Sequence, residues 1–501
     1  MEKRKHVRCI MVQGTMSDAG KSILVTALCR IFRQDGYRVM PFKSQNMALN
    51  SYITRDGLEM GRAQVAQAEA AGQEPDARMN PVLLKPSSDN GSQLIVVGEV
   101  SGNVTAQDYY THKDELVPKI LDAYYSLADE ADIMVIEGAG SPAEINLKDV
   151  DIVNMGFAKL VDAPVILCGD IDRGGVFAQL YGTIGLMDEE ERSHIEAMVI
   201  NKFRGDVDIL MPGVKKIEEM TGIPVLGVVP FLDVDIDDED SLSARLTRGK
   251  EEDKPVDIAV VRLPRLCNFT DFSPLEAHPA LGVRYVRKAS DLGDPDMVII
   301  PGTKSTIDDL VWMRESGMEA KVLQLASRGV PVLGVCEGYQ MLGEHLVNPE
   351  HLEGPRDEIR GMGLLPTETV FKAKKRKTRF LAEVKAPAFR GAKLDGYEIH
   401  MGVTKVMGDP FLQLESGEFD GCVSGNVFGT YLHGLFDTGD LTERLADFLL
   451  ERKGVDASSY RPESHTDYKE EQYDKLADGV RKVLDIDKIY EIMDKYDRKY
   501  E

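Results

Sequence analysis

Residues Gly14 to Ser22, GTMSDAGKS, put a lysine and a hydroxyl behind a glycine loop. Five residues rather than the usual four separate Gly14 from Gly20-Lys21-Ser22. An apolar run, VRCIMVQ, precedes the loop and a helix-compatible stretch, SILVTALCRIF, follows it. In that setting the N–H groups from Gly14 and Thr15 to Gly20, with the positive end of the helix, can wrap phosphates. Lys21 would neutralise the β/γ oxygens of a nucleotide and Ser22 would ligate Mg²⁺. Glu137, in IEGAGSPAEINL, ends a buried run where ligands of open parallel sheets gather. It would contact the metal directly or in its second shell, or simply cap the strand. Lys43, in PFKSQNM, ends another run and could meet a γ-phosphate or a substrate carboxylate. Asn201 and Lys202, in INKFRGD, could face the base or remain solvated.

A second constellation lies further on. Gly334-Val335-Cys336-Glu337-Gly338 has the small-x-nucleophile-x-small form of a strand-to-helix elbow, which exposes a nucleophile on a tight turn. A helix N-terminus behind Cys336 would lower its thiol pKa and supply thiolate. The glycine loop IIPGTKS, 299–305, could aim N–H groups at an oxyanion. FGTYLHGLF offers His433 as the base for Cys336.

Elements must carry these residues to the right places. VRCIMVQ, YRVMPF, DIMVIEGAG, PVILCGD, AMVINKF and PVLGVVP are continuous apolar runs ending in small or polar residues, as strands buried on both faces of a parallel sheet read. Helical stretches such as GRAQVAQAEAAG alternate with them. The charged segment from 233 to 257 interrupts the series, and IAVVRLP, DMVIIPGTKS and PVLGVCEGYQMLG begin a second α/β series. Tyr473, Leu476, Val480 and Leu484 mark one face of a late helix, packed back on the body. The expected fold is therefore α/β throughout: a P-loop-type parallel-sheet domain over 1–235, a linker over 236–256, a second α/β domain over 257–445 and a helical tail over 446–501.

Whole-chain properties narrow the partners. With 501 residues the chain exceeds one ordinary core. A net charge of −24 disfavours nucleic acid, without excluding a small anion in a locally positive pocket. Arg62, Lys85 and Arg173 could hold substrate carboxylates, ordinary ion pairing being the plainer reading. The apolar runs are too short to span a membrane. Six cysteines without a CxxC pair fit a reducing cytoplasm.

Resemblances sharpen this. The lengthened loop opening Gly14-Thr15 resembles that of dethiobiotin synthetase and its relatives, which phosphorylate carboxylates. Cys336, the 299–305 loop and His433 resemble the triad-type glutamine amidotransferase domain, which implies a γ-glutamyl thioester and release of ammonia. Most members follow the histidine with Pro-Glu or x-Glu. Gly434 and Leu435 stand here instead, which implies the subgroup acting on cobyrinic acids and a Cys336–His433 dyad. Glu398 and His400, in GYEIHMG, resemble a stretch of that subgroup and receive no catalytic role. An ATP site that activates carboxylates, joined to a source of ammonia, makes amides.

From residue 8 to about residue 490 the chain resembles the cobyric acid synthase family, in FKSQNMALNSY, GLEMGRAQVAQAEAA, MNPVLLKP, DIDRGGVFA, NKFRGD, NFTDFSPLE, PGTKSTIDDLVWMR and FGTYLHGLF. The resemblance implies ATP- and glutamine-dependent amidation of the b, d, e and g carboxylates of adenosylcobyrinic acid a,c-diamide to adenosylcobyric acid. ATP and Mg²⁺ are the implied cofactors, and the partners are small molecules. The alternative, a,c-diamide synthases acting on cobyrinic acid or a related tetrapyrrole, carry Gly-Pro-Asp-Tyr where this chain has Ser44-Gln45-Asn46-Met47. CTP synthase shares the domain order, but the Pro-Glu expected after His433 is missing. A partition-type ATPase would place lysine where Thr15 stands and would have no use for Cys336.

Overall fold

The computed structural model describes residues 7–86, 91–237, 246, 249, 251, 253–461 and 464–499. Most of the expected 236–256 linker lies outside the described residues. The chain forms two compact units. The first comprises Met1–Ala48, Leu58–Asp237 and Lys469–Glu501, and the second Leu49–Gly57 and Asp238–Tyr468.

All six apolar runs of the first series are strands of one parallel sheet. Its order is Val225–Pro230, Ile195–Phe203, Val165–Asp170, Arg8–Gly14, Ile133–Glu137 and Val39–Phe42. The four central strands are almost wholly buried, which is why they read as unbroken apolar runs rather than alternating ones. Because Arg8–Gly14 lies between Ile133–Glu137 and Val165–Asp170, the loops leaving these three strands share one carboxyl edge. The alanine-rich run forms the helix Arg62–Ala71, ended by Gly72 in the left-handed conformation.

The second unit repeats the scheme with its own sheet. Leu281–Val286, Val256–Val261, Met297–Ile300, Val332–Val335 and Val427–Thr430 run parallel, and Cys422–Ser424 adds an antiparallel edge. Residue Val335 pairs with Thr430, so Cys336 and the turn carrying His433 leave neighbouring strand ends.

Two further sheets have no counterpart in the sequence reading. Gln45–Met47, Val82–Pro86, Gly91–Val96 and Glu99–Thr105 form a four-stranded sheet in the first unit. In the second, the long strands Thr367–Val384 and Lys393–Val406 pair antiparallel within a larger mixed sheet. The 446–501 stretch is divided. The helix Leu441–Lys453 sits within the second unit, whereas residues from Lys469 belong to the first, where Tyr473, Leu476, Val480 and Leu484 join its apolar core. No helix among the described residues is long and apolar enough to cross a membrane.

Candidate active sites

In the first unit the loop after Arg8–Gly14 opens into the helix Lys21–Gln34. Gly20 begins that helix at φ 88°, and a Cβ there would come within 2.1 Å of the Asn201 side-chain nitrogen, so only glycine fits. The Asn201 amide donates to the carbonyl of Ala19 at 3.0 Å, and Lys202 Nζ pairs with Asp170 at 3.0 Å. These two residues, expected at a base or in solvent, brace the loop. Thr15 donates its hydroxyl proton to Gln179 at 3.1 Å.

Lys21 Nζ curls back over Gly14. It donates to the carbonyls of Met16 at 3.0 Å and Gly140 at 3.2 Å, and a Cβ on Gly14 would stand 3.0 Å from that nitrogen. Carbonyl oxygens thus occupy the positions that suit phosphate oxygens. Around Glu137 three donors converge: Ser22 Oγ at 2.9 Å and Lys43 Nζ at 2.8 Å on one carboxylate oxygen, and the Gln67 amide on the other. Glu137 and Lys43 are both buried. A hydroxyl and a carboxylate side by side are hard oxygen ligands of the kind Mg²⁺ takes, with phosphate and water completing its shell. The donor set fits a nucleotide with its metal. Gln67 was not foreseen: the helix Arg62–Ala71 carries two amides, Gln64 and Gln67, and nothing in their spacing tells which one meets Glu137.

The three cations considered for substrate carboxylates are paired already. Arg62 meets Asp237 at 3.0 Å, Lys85 meets Glu59 at 3.0 Å and Arg173 meets Asp18 at 3.4 Å.

In the second unit Cys336 forms the elbow its flanking glycines foretell. Its backbone stands at φ 54°, ψ −112°, between the strand Val332–Val335 and the helix Glu337–Leu342. For a residue with a side chain this is a strained conformation, of the kind that persists where the surroundings dictate it. A Cβ at Gly338 would lie 2.0 Å from the Ile300 carbonyl oxygen, which explains the second small residue. The expected supply of thiolate is not met in this state. Cys336 is fully buried, and burial, reinforced by the carboxylate of Glu337, pushes the thiol well above its ordinary range. That same carboxylate accepts the Thr303 N–H of the 299–305 loop at 3.0 Å. An oxyanion using that donor must therefore displace Glu337.

His433 is buried and its ring stacks on Tyr397 with centroids 5.4 Å apart. The acid that sequence reasoning found missing is present. Asp271 Oδ2 lies 2.6 Å from His433 Nδ1, and its other oxygen accepts the Gly434 N–H at 3.1 Å. His433 thus draws its acid from NFTDF rather than from the residues after the histidine. With Nδ1 committed to Asp271, the ring's lone pair falls on Nε2, the arrangement a general base for a thiol needs. A Cβ at Gly302 would sit 3.5 Å from His433 Cε1 and 3.2 Å from Glu337, which puts the 299–305 loop against both. Glu398 and His400 are occupied with each other at 3.2 Å, and His400 stacks on Tyr431.

Comparison with known proteins agrees with this division. Residues 10–243 match the CobQ/CobB/MinD/ParA nucleotide binding domain and residues 257–441 the CobB/CobQ-like glutamine amidotransferase domain. A cobyric acid synthase of Lachnoclostridium phytofermentans is 54% identical over 97% of this chain and 99% of its own. Those of Ruminiclostridium cellulolyticum and Streptococcus sanguinis are 53% and 52% identical, over 97% and 98% of this chain and 97% and 100% of theirs. A phosphate loop and a thiol elbow, carried together on one chain that matches these proteins end to end, lead to one conclusion: the chain belongs to the cobyric acid synthase family, the glutamine-dependent amidotransferases of cobalamin biosynthesis.

Proposed function

We propose that the chain amidates the b, d, e and g carboxylates of adenosylcobyrinic acid a,c-diamide, consuming one ATP and one glutamine at each. The observation carrying this reading is the pairing of two chemistries: Ser22 and Lys43 gathered on Glu137, and a Cys336 elbow accompanied by His433 and Asp271. In the second unit His433 Nε2 takes the Cys336 proton and the thiolate attacks the side-chain amide carbon of glutamine. The imidazolium returns the proton to the leaving nitrogen, ammonia departs, and water hydrolyses the remaining thioester to glutamate. Asp271 is a positioning residue here, holding the imidazole tautomer.

In the first unit a substrate carboxylate oxygen attacks the γ-phosphorus of ATP and ADP leaves. Ammonia then attacks the carbonyl carbon and phosphate departs, completing the amide. Lys21 and Lys43 offset the negative charge that otherwise keeps carboxylate and triphosphate apart. Mg²⁺, held by Ser22 and Glu137, would add further neutralisation of the phosphates. The six unpaired cysteines support a reducing, cytoplasmic setting.

Cys336→Ala should abolish glutamine-supported amidation and leave synthesis from ammonium salts largely intact. Lys21→Ala should stop synthesis from either nitrogen source. Loss of both activities in the first variant, or survival of ammonia-supported synthesis in the second, overturns the two-site assignment. A mass-spectrometric count of nitrogens gained by the corrinoid separates four amidations from two.

A further inference from the structure

Glu137 is held from two directions, and the two are not alike. Its Oε1 receives Ser22 Oγ at 2.9 Å and Lys43 Nζ at 2.8 Å, and both of these groups have a second task in the chemistry proposed above. Its Oε2 receives the amide of Gln67, from the alanine-rich helix Arg62–Ala71. Gln67 is 0% exposed. A carboxylate can only accept, so the amide must turn its nitrogen to Glu137, and its oxygen is left over. Among the described residues that buried oxygen has no hydrogen-bond partner.

The orphaned oxygen argues against a packing role. A buried carbonyl without a donor costs stability, and a methionine of similar shape would fill the same space without leaving one. What glutamine supplies and methionine cannot is the N–H on Glu137. The amide is also neutral. A lysine or arginine in its place would set a second cation on the carboxylate and compete with a metal, whereas the amide fixes the carboxylate and leaves its charge intact. We infer that Gln67 is a positioning residue: it pins Glu137 with Oε1 turned to Ser22, where the two would hold Mg²⁺, while Lys43 leaves the carboxylate for a phosphate or substrate oxygen. This rests on the nucleotide-and-metal reading of the site given above.

The test uses the full chain and a β,γ-imido analogue of ATP, its Kd measured by calorimetry with excess Mg²⁺ and again with EDTA. Gln67→Met should cut the tightening that Mg²⁺ gives the wild type by about tenfold, the usual loss when the partner of a metal ligand is removed. Its Kd in EDTA should stay within about twofold, and it should melt no lower than wild type. In a Glu137→Gln background, adding Gln67→Met should alter the tightening by less than about twofold, because a residue that acts through Glu137 then has nothing to position. Gln64→Met removes an equally buried amide one turn earlier, which bonds Asn46 at 3.1 Å rather than Glu137, and should leave the tightening within about twofold. An undiminished tightening in Gln67→Met overturns the inference, as do equal losses with and without metal, a further loss in the Glu137→Gln background, or the same loss in Gln64→Met. So does a Gln67→Met protein that melts about 4 °C or more below wild type, which would mark a structural role. If Mg²⁺ does not tighten binding to the wild type, the metal reading of Ser22 and Glu137 falls; if it does and Gln67→Met is indifferent, only the role of Gln67 falls.

Discussion

Replacing Asp271 by asparagine tests the histidine arrangement more sharply than deleting it. The two oxygens of Asp271 serve two N–H donors, His433 Nδ1 at 2.6 Å and Gly434 N at 3.1 Å. An asparagine has one oxygen, and the backbone N–H of Gly434 can only donate. The amide must therefore turn its oxygen to Gly434 and its NH₂ to the imidazole. His433 Nδ1 then has to accept, its proton moves to Nε2, and the lone pair that should take the Cys336 proton is gone. Loss of the charge-assisted bond alone is worth about 1.5–3 kcal/mol. At 1.36 kcal/mol per decade that is about 10- to 150-fold in rate. Reversal of the tautomer carries the loss toward about 10⁴-fold, as in the serine-protease triad. Glutamate release from glutamine is the assay, with ammonia-supported amidation as the control that should stay near wild type. An Asp271→Asn protein that hydrolyses glutamine within about threefold of wild type refutes the tautomer argument.

Two further outcomes follow from the second unit. Gly338→Ala would set a methyl 2.0 Å from the Ile300 carbonyl, so glutamine hydrolysis should disappear. Thermal scans should place its melting about 4–10 °C lower, from about 1–3 kcal/mol of overpacking. His278 is buried, and burial with the nearby Lys254 holds its pKa down to about 4 from an ordinary 6.5. Its Nδ1 accepts the Ala280 N–H at 3.1 Å, a bond that protonation would break. Above pH 6.5 both folded and unfolded chains keep this histidine neutral. Between about 6.5 and 4 only the unfolded chain binds the proton, so stability should fall by about 3 kcal/mol as the pH drops through that window. Denaturant titrations at pH 7 and pH 5 should show the slope, and His278→Gln should flatten it.

What was legible in the sequence is what local spacing encodes. The loop from Gly14 to Ser22 and the elbow from Gly334 to Gly338 are contiguous, and each glycine meets a steric demand from a neighbour a few residues or one or two strands away. Fully buried parallel strands announce themselves as apolar runs. Asp271 could not be read that way. It lies 162 residues before His433, on the loop after a different strand, and no spacing rule connects them. The state of Cys336 was missed for a related reason. A helix N-terminus is visible in the sequence, whereas the burial that outweighs it is a property of the whole unit. The long hairpin from Thr367 escaped because its run KAKKRKTR is largely exposed and carries no apolar period to mark a strand. Nor does anything in Leu49–Gly57 reveal that it folds with residues two hundred positions later. Ser51 accepts from the Tyr397 hydroxyl at 2.9 Å, and its own N–H donates to Asn268 at 3.3 Å.

The core beneath the phosphate loop is stitched from both extremes of the sequence: Leu28, Ile31 and Phe32 pack in one cluster with Tyr473, Leu476, Val480, Ile489, Ile492 and Met493. Arg30 is held from the far side by Asp474 at 2.7 Å and Glu470 at 2.8 Å. On the ribosome the nucleotide-binding half emerges early yet stays unfinished, its apolar seam open, until the amidotransferase half has been synthesised and the closing helices follow. Clipping those helices would cripple the opposite end of the polypeptide first, and phosphoryl transfer would fail before glutamine hydrolysis did.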